Sequence, residues 1–205
     1  MTGHSARAAI VRWGVAAFLC AAAGIAYLDR VVISVVIQEL KETLGMTDMQ
    51  AGWIMAAFVV GNGLMQVPTG RLGDRIGIRY ALSVIVVVWS LMTGLMAVAG
   101  TFGVLFMIRC CFGMAQAGVF PFSVPALCRW FPLERRGTAQ GVVVTGTRVG
   151  AILAGLVSPL IVKFGWQPVF IACGALGDVW AALFAWWFRN RPERHAGADE
   201  AAYSW

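Results

Sequence analysis

The chain has 205 residues, of which 60% are hydrophobic and 13% charged, and its formal net charge is +6. A soluble domain of this length could not bury so much apolar surface, so the composition excludes an ordinary soluble protein and makes the lipid bilayer the solvent for much of the chain. The positive charge requires no nucleic-acid partner, because loop arginines supply it.

Six apolar stretches are long enough to cross a bilayer as helices, since about 20 residues span its hydrocarbon core. In chain order they cover residues 13–36, 51–69, 80–99, 102–127, 138–162 and 167–188. We therefore predict an all-α membrane protein whose six-helix bundle occupies 13–188. A cytoplasmic N-terminus at 1–12 precedes the bundle, and 189–205 is expected to be a truncated cytoplasmic loop.

The loops are asymmetric in charge, and the arginines fall on one side of this six-helix threading. They are Arg7, Arg12, Arg71, Arg75, Arg79, Arg129, Arg135, Arg136, Arg189, Arg191 and Arg194. The opposite loops hold only Lys41 and Lys163 as basic residues. The positive-inside rule then places both termini in the cytoplasm, and we expect a multi-pass protein of the cell (inner) membrane.

A weak internal repeat relates the first three apolar stretches to the last three. Arg30 in the first stretch and Arg109 in the fourth lie at similar estimated depth. Residues 75–77 (Arg-Ile-Gly) follow the second stretch, and residues 163–165 (Lys-Phe-Gly) follow the fifth. This pattern fits a 3+3 inverted repeat, an arrangement used by many transporters.

The segment between the second and third stretches is the most specific motif in the chain. Its glycines are expected to allow a tight turn, and its carboxylate can lie against a helix N-terminus. The motif residues are Gly70, Gly73, Asp74, Arg75, Gly77 and Arg79. An ordinary basic loop is the alternative, but the spacing closely resembles the signature loop of the major facilitator superfamily.

Other motifs extend this resemblance over nearly the whole chain. Residues 109–121, beginning with Arg109, resemble the Arg-x-x-x-Gly motif of the fourth helix in that superfamily. Residues 130–137, the Tyr27-Leu28-Asp29-Arg30 segment and the Arg-Val-Gly at 148–150 resemble its anion:cation symporter branch. The resemblance implies the N-terminal six-helix half of a twelve-helix transporter, with a proton and an organic anion, such as a sugar acid or another carboxylate, as partners.

Charged residues inside the stretches support anion binding independently of the resemblance. Arg30, Arg109 and Arg148 stay charged at any accessible pH, and their planar donors suit carboxylates. Charges at membrane depth are costly and usually face a protein interior or a watery cavity. We therefore predict that these arginines bind substrate, although structural pairing with Asp29, Asp178 or backbone carbonyls is the alternative.

Asp29 is the candidate proton carrier, because burial and a neighbouring guanidinium act on a carboxyl group in opposite directions. A structural salt bridge is the competing interpretation. Gln116 stands where proton-coupled relatives often have Glu, and Gln cannot titrate. Asn62 stands where they often have Tyr, which puts the sugar-acid class in doubt. Asn62, Gln116 and Thr147 are predicted to donate hydrogen bonds to substrate, with interhelical packing as the alternative.

Other classes fit less well. An intramembrane serine protease needs a His base within the membrane, but His4 and His195 both lie outside the stretches, so we expect no enzyme, cofactor or metal. The leading prediction is secondary active transport of an organic anion by proton symport. The chain is either a truncated, transport-inactive fragment, a half that pairs with a second six-helix half, or a homodimer. A non-transporting membrane partner is a further alternative.

Overall fold

The computed structural model describes residues 2–190, apart from the side chains of residues 2–8 and of Asp74. Within these residues the chain is helical throughout, with short connections. The helices are α1 (Thr2–Leu44), α2 (Asp48–Ile76), α3 (Ile78–Met96), α4 (Phe102–Gln116), α5 (Val119–Trp130), α6 (Leu133–Leu156), α7 (Ser158–Phe164) and α8 (Trp166–Trp187). Six helical segments are long and apolar enough to cross a membrane, which confirms the predicted all-α bundle.

Two of the predicted spans are each divided into two helices. The fourth breaks between α4 and α5 near Gly118, and the fifth breaks at Val157 between α6 and α7. Pro121 and Pro159 follow these breaks. A proline lacks the amide hydrogen and collides with the carbonyl four residues earlier, so each interrupts its helix without ending the span.

The first helix is longer than predicted at both ends. α1 runs through the segment assigned to the N-terminus and continues past Val36 to Leu44. No proline or glycine interrupts the residues from 31 to 44, and the helix stops only before Gly45. Gly45 adopts a φ of 61°, the left-handed conformation that commonly terminates helices. The predicted loop at 189–205 is described only for Arg189 and Asn190, and the remainder lies outside the described residues.

The pairs of helices that contact each other are those expected of the predicted 3+3 inverted repeat. The most extensive contacts join α1 to α6, α2 to α4, and α3 to α8. In terms of spans, these are the pairs first–fifth, second–fourth and third–sixth. Exchanging the first three spans for the last three converts the first pair into the second and leaves the third unchanged, as an inverted repeat requires.

Glycines bring the paired helices to backbone contact. A Cβ added to Gly150 of α6 would overlap the carbonyl oxygen of Gly24 in α1, and one added to Gly61 of α2 would overlap that of Cys110 in α4. Small residues allow membrane helices to approach closely, where dispersion attraction replaces the hydrophobic effect as the force between them. These contacts fix the depth and rotation of α1 and α4, the two helices that carry Arg30 and Arg109.

Arginine side chains, Arg79 and Arg136 among them, cap helix C-termini at the arginine-rich end of the bundle. Arg79 donates from Nε to the carbonyl oxygen of Ala185 at 2.7 Å, with a second donation from Nη2, and so covers the last turn of α8. Arg136 donates to the carbonyls of Phe131 and Cys128 at 3.0 and 2.9 Å, at the end of α5. The terminal carbonyls of a helix lack intrahelical partners and carry partial negative charge, so both arginines stabilise helix ends.

Candidate functional site

Arg30 lies on α1 at the junction with α2 and α4. The residue is half-buried, and its Nη2 donates to Oε1 of Gln116 at 3.1 Å. Its Cζ lies 4.6 Å from the ring centroid of Tyr27 and 4.4 Å from that of Phe58. The Nε atom of Arg30 is buried and has no hydrogen-bond partner.

Arg109 on α4 is only 1% exposed, and its charge is not paired by hydrogen bonding. Nε and Nη1 are both buried without a hydrogen-bond partner. Its Cζ lies 5.4 Å from the Phe58 ring centroid and 5.2 Å from the Phe112 ring centroid. Two aromatic rings lie against this guanidinium, and no carboxylate of the described residues hydrogen-bonds to it.

Phe58 is therefore shared between the two guanidinium groups. A cation attracted to a ring face is stabilised by the ring quadrupole, by about 2 kcal/mol in a desolvated setting. Such a contact neither cancels the positive charge nor uses the N–H donors that lie in the guanidinium plane. Arg30 and Arg109, which we call the guanidinium pair, are thus held in place with donors unused.

Asp29 does not pair with its neighbour Arg30. Consecutive residues of a helix point about 100° apart, so Arg30 faces α2 and α4 while Asp29 faces α3. Asp29 is 1% exposed and neither of its oxygens accepts a hydrogen bond from a described residue. The polar side chains of Trp89 and Thr93 on α3 lie close to the Asp29 carboxyl group, and the Arg109 charge attracts it from α4.

The thiol of Cys173 on α8 also lies within electrostatic range of Asp29. The carboxyl group is thus set behind the guanidinium pair, on the side that packs against α3 and α8. It offsets part of the Arg109 charge from a distance and leaves the pair without a hydrogen-bonded carboxylate.

The predicted uncharged ligands form contacts between and within helices. Gln116 donates from Nε2 to the carbonyl of Ala26 at 3.0 Å while accepting from Arg30, so it joins α4 to α1. Asn62 donates to the carbonyl of Gly113 at 3.3 Å, and Thr147 donates to its own helix at Val144. Gln116 is brought to the guanidinium pair, whereas Asn62 and Thr147 make contacts expected of packing residues.

Arg148 is not brought into the cluster. It lies on an exposed face of α6, and among residues 2–190 it makes no hydrogen bond or ion pair. The reason is helix rotation, because Gly146 and Gly150 face α1 and Arg148, two residues from each, points to roughly the opposite side. The expected group of three buried arginines is therefore a pair, with Arg148 apart.

The signature segment is mostly helix, and its turn is a single residue. α2 continues through Gly70 and Gly73 to Ile76, and only Gly77, with φ of 85°, needs the freedom predicted for all three glycines. A Cβ at Gly73 would overlap the ring of Phe122 on α5, so this glycine permits close packing. Arg75 is exposed, Arg79 caps α8, and the Asp74 side chain lies outside the described part of the chain.

Sequence reasoning did not identify the aromatic residues that hold the guanidinium pair. Tyr27 precedes Arg30 by three residues and Phe112 follows Arg109 by three, a spacing that places each ring beside its arginine on one helix. This three-residue spacing is visible in the sequence and could have identified both rings. Phe58 gives no such signal, because it reaches both arginines across helix interfaces.

Asp178 and two surface grooves lie apart from this cluster. Asp178 on α8 is half-buried, its Oδ1 has no hydrogen-bond partner, and it forms no ion pair with an arginine in the described part of the chain. An apolar groove of about 420 Å³ runs between α1, α6 and α8, and another of about 340 Å³ between α2, α3 and α4. Neither groove is lined by Arg30 or Arg109.

Comparisons with known proteins agree with the fold. The family model described as the Major Facilitator Superfamily matches residues 19–203. A protein described as a probable sulfoacetate transporter of Cupriavidus necator is 34% identical over 179 residues, which are 87% of this chain and 42% of the relative. A hexuronate transporter of Escherichia coli strain K12 is 30% identical over 195 residues, which are 94% of this chain and 45% of the relative.

Among solved structures, a bacterial homologue of the human lysosomal transporter Spinster, in an inward-facing and unoccupied conformation, superposes with a TM-score of 0.79. It is 23% identical, and the match covers 97% of this chain and 46% of the other. At this identity the likeness concerns the fold. The chain spans less than half the length of these two relatives and of this solved structure.

Proposed function

Because the chain belongs to the Major Facilitator Superfamily, a family of transporters rather than enzymes, we propose that it binds an organic anion at the guanidinium pair and moves it across the membrane with a proton. The relatives are named for transport of organic anions, sulfoacetate and hexuronates. The proposal for this chain is a carboxylate or sulfonate substrate contacting Arg30, with Arg109 behind it and Gln116 orienting Arg30.

One observation carries this proposal: two intramembrane guanidinium groups have buried donors without partners. A buried unpaired ion costs several kcal/mol, and a cation–π contact returns only about 2 kcal/mol. Asp29 compensates at most one of the two charges. An anion that binds the accessible part of the Arg30 guanidinium would supply the missing charge.

Asp29 is proposed as the proton-carrying group. The groups that face it are Trp89 and Thr93 on α3, Arg109 on α4 and Cys173 on α8, and among these only Arg109 is a cation. An anion arriving at the guanidinium pair would weaken the attraction between Arg109 and the Asp29 carboxylate. Uptake of a proton by Asp29 then follows from the same charge balance.

The relatives are about twice as long, so the proposal includes a second six-helix unit that completes the site. That unit is further sequence of the same polypeptide, a separate polypeptide or a second copy of this chain. Arg148 lies on an exposed face of α6 and is proposed to bind substrate once that unit is in place. A fragment inactive in transport, or a membrane partner that does not transport, is the alternative.

Cell (inner) membrane location with both termini in the cytoplasm is proposed from the one-sided arginines. Alkaline phosphatase and green fluorescent protein fusions after residue 190 test it. Fluorescence without phosphatase activity is expected, and the reverse pattern overturns the orientation.

The function is tested in two stages. The purified chain in lipid nanodiscs is titrated with galacturonate and sulfoacetate by calorimetry, and the same chain in liposomes is assayed for uptake with an imposed proton gradient. Arg30→Gln is expected to lose at least about tenfold in affinity because it removes the contacting charge. Arg79→Gln is the control, since Arg79 caps α8 away from the pair.

The outcomes separate the alternatives. Binding with uptake supports a transporter assembled from copies of this chain. Binding without uptake supports a site that needs a different second unit for transport. Absence of binding to every organic acid tested overturns the proposal in favour of a fragment or partner protein.

A further inference from the structure

We infer that the site selects doubly charged anions over singly charged ones, and that Phe58 sets this preference by holding two guanidinium groups against one ring without neutralising either. The inference rests on the proposed function and adds to it the charge of the substrate. It concerns the cluster formed by α1, α2 and α4, where Phe58 contacts Arg30 and Arg109.

The charges of Arg30, Arg109 and Asp29 do not cancel. The cluster contains two guanidinium cations, and among the described residues Asp29 is the one carboxyl group in electrostatic range of them. Gln116 accepts from Arg30 through an amide oxygen, which carries no net charge. With Asp29 ionised the cluster carries +1, and with Asp29 protonated it carries +2. A dianion therefore balances the protonated state, whereas a monoanion leaves a buried positive charge there.

Phe58 keeps the two guanidinium groups close to each other. The Cζ atoms of Arg30 and Arg109 lie 4.4 and 5.4 Å from the same ring centroid, so they cannot be farther apart than the sum of these distances. Like charges this close repel, more strongly where water is excluded. The shared ring attracts both cations, and a carboxylate in its place would have cancelled one of them.

The two guanidinium groups differ in their accessibility to a ligand. Arg30 is half-buried and can be contacted by a ligand, whereas Arg109 is 1% exposed and lies behind the Phe58 and Phe112 rings. One anionic group of the substrate would bind Arg30. The second group need not touch Arg109, because an unpaired buried charge acts over several ångströms when solvent does not screen it.

The test compares dianions with monoanions of nearly the same shape. The probes are malonate against its monoamide, malonamate, and galactarate against galactonate. Each is titrated into the purified 205-residue chain in lipid nanodiscs at pH 7.5 by calorimetry. In each pair that binds, the dianion is expected to bind at least about tenfold more tightly, since one additional charge meets an unscreened guanidinium.

Variants assign the preference to its residues. Arg109→Gln and Phe58→Leu are expected to bring the ratio of dianion to monoanion affinity close to one, and Phe58→Tyr, which keeps the ring face, to retain it. Asp29→Asn holds the cluster at +2 and is expected to keep the ratio or raise it. Phe106→Leu on α4, whose ring contact is with Phe102, is the matched control and should leave the ratio unchanged.

The possible results distinguish a failure of the charge selectivity from a failure of anion binding. Equal affinity for the members of both pairs in the unmodified chain overturns the charge selectivity while anion binding stands. Failure of all four probes, together with galacturonate and sulfoacetate, overturns anion binding and the selectivity with it. A Phe58→Leu protein that melts like the parent and keeps the full ratio overturns the role of Phe58.

Discussion

Arg30 donates a hydrogen bond to Gln116 at 3.1 Å, and Gln116 in turn donates a hydrogen bond to the carbonyl oxygen of Ala26. The contact holds the guanidinium without neutralising it, because an amide oxygen carries no formal charge. A position where related transporters often have Glu is thus used here to orient Arg30 and to join α4 to α1.

Replacing Gln116 with Glu is expected to weaken anion binding at neutral pH by about tenfold or more, because an ionised carboxylate would pair with Arg30 and compete with the substrate. Protonation of the new carboxyl group removes that competition. Affinity in Gln116→Glu should therefore rise as pH falls, with a slope absent from the unmodified chain. Calorimetry between pH 5.5 and 8 measures it, and an unchanged affinity would show that Gln116 does not act on Arg30.

Asp29→Asn is expected to abolish the pH dependence of substrate binding while leaving binding itself intact. Asparagine resembles the protonated carboxyl group in shape and charge, so the variant is fixed in the proton-loaded state. Uptake driven by a proton gradient should be lost, and exchange of labelled for unlabelled substrate should persist. Asp178→Asn is the control on another helix. Gradient-driven uptake by Asp29→Asn would remove Asp29 from the coupling mechanism.

Gly150→Ala is expected to destabilise the fold, because the added Cβ would meet the backbone of Gly24 where α6 crosses α1. Overpacking of this kind costs about 1–3 kcal/mol and outweighs the gain of about 1 kcal/mol in helix propensity. Gly155→Ala lies on the same helix with nothing within 4 Å of the added atom, and it should be neutral or stabilising. Thermal melting in detergent, followed by size-exclusion recovery, compares the two.

Arg79→Ala should loosen the end of α8, where Arg79 donates to the carbonyl of Ala185 and its amide donates to Asn190 at 2.8 Å. A hydrogen bond from a charged group contributes about 1.5–3 kcal/mol. Hydrogen exchange of the last turn of α8 is expected to accelerate at least about tenfold, the factor that 1.4 kcal/mol represents. Arg75→Ala, at an exposed position of the same motif, serves as control. Equal exchange in both variants would rule out the cap.

Span number and class were predictable from sequence because burial in lipid requires long apolar helices, which leave a signal in any window of about 20 residues. The helix breaks near Gly118 and Val157 were foreseeable from Pro121 and Pro159 but were missed. Arg30 and Arg109 stood out because an intramembrane charge is rare and costly wherever it occurs. These are properties of single residues and short segments.

Only the tertiary structure decided which of the charges act together. Asp29 and Arg30 are adjacent in the chain yet face different helices, Arg148 points away from the pair, and Phe58 reaches both arginines from a third helix. The rotation of each helix about its axis follows from where glycines such as Gly61 and Gly150 let backbones touch. That rotation depends on pairs of helices distant in sequence, so no local pattern contains it.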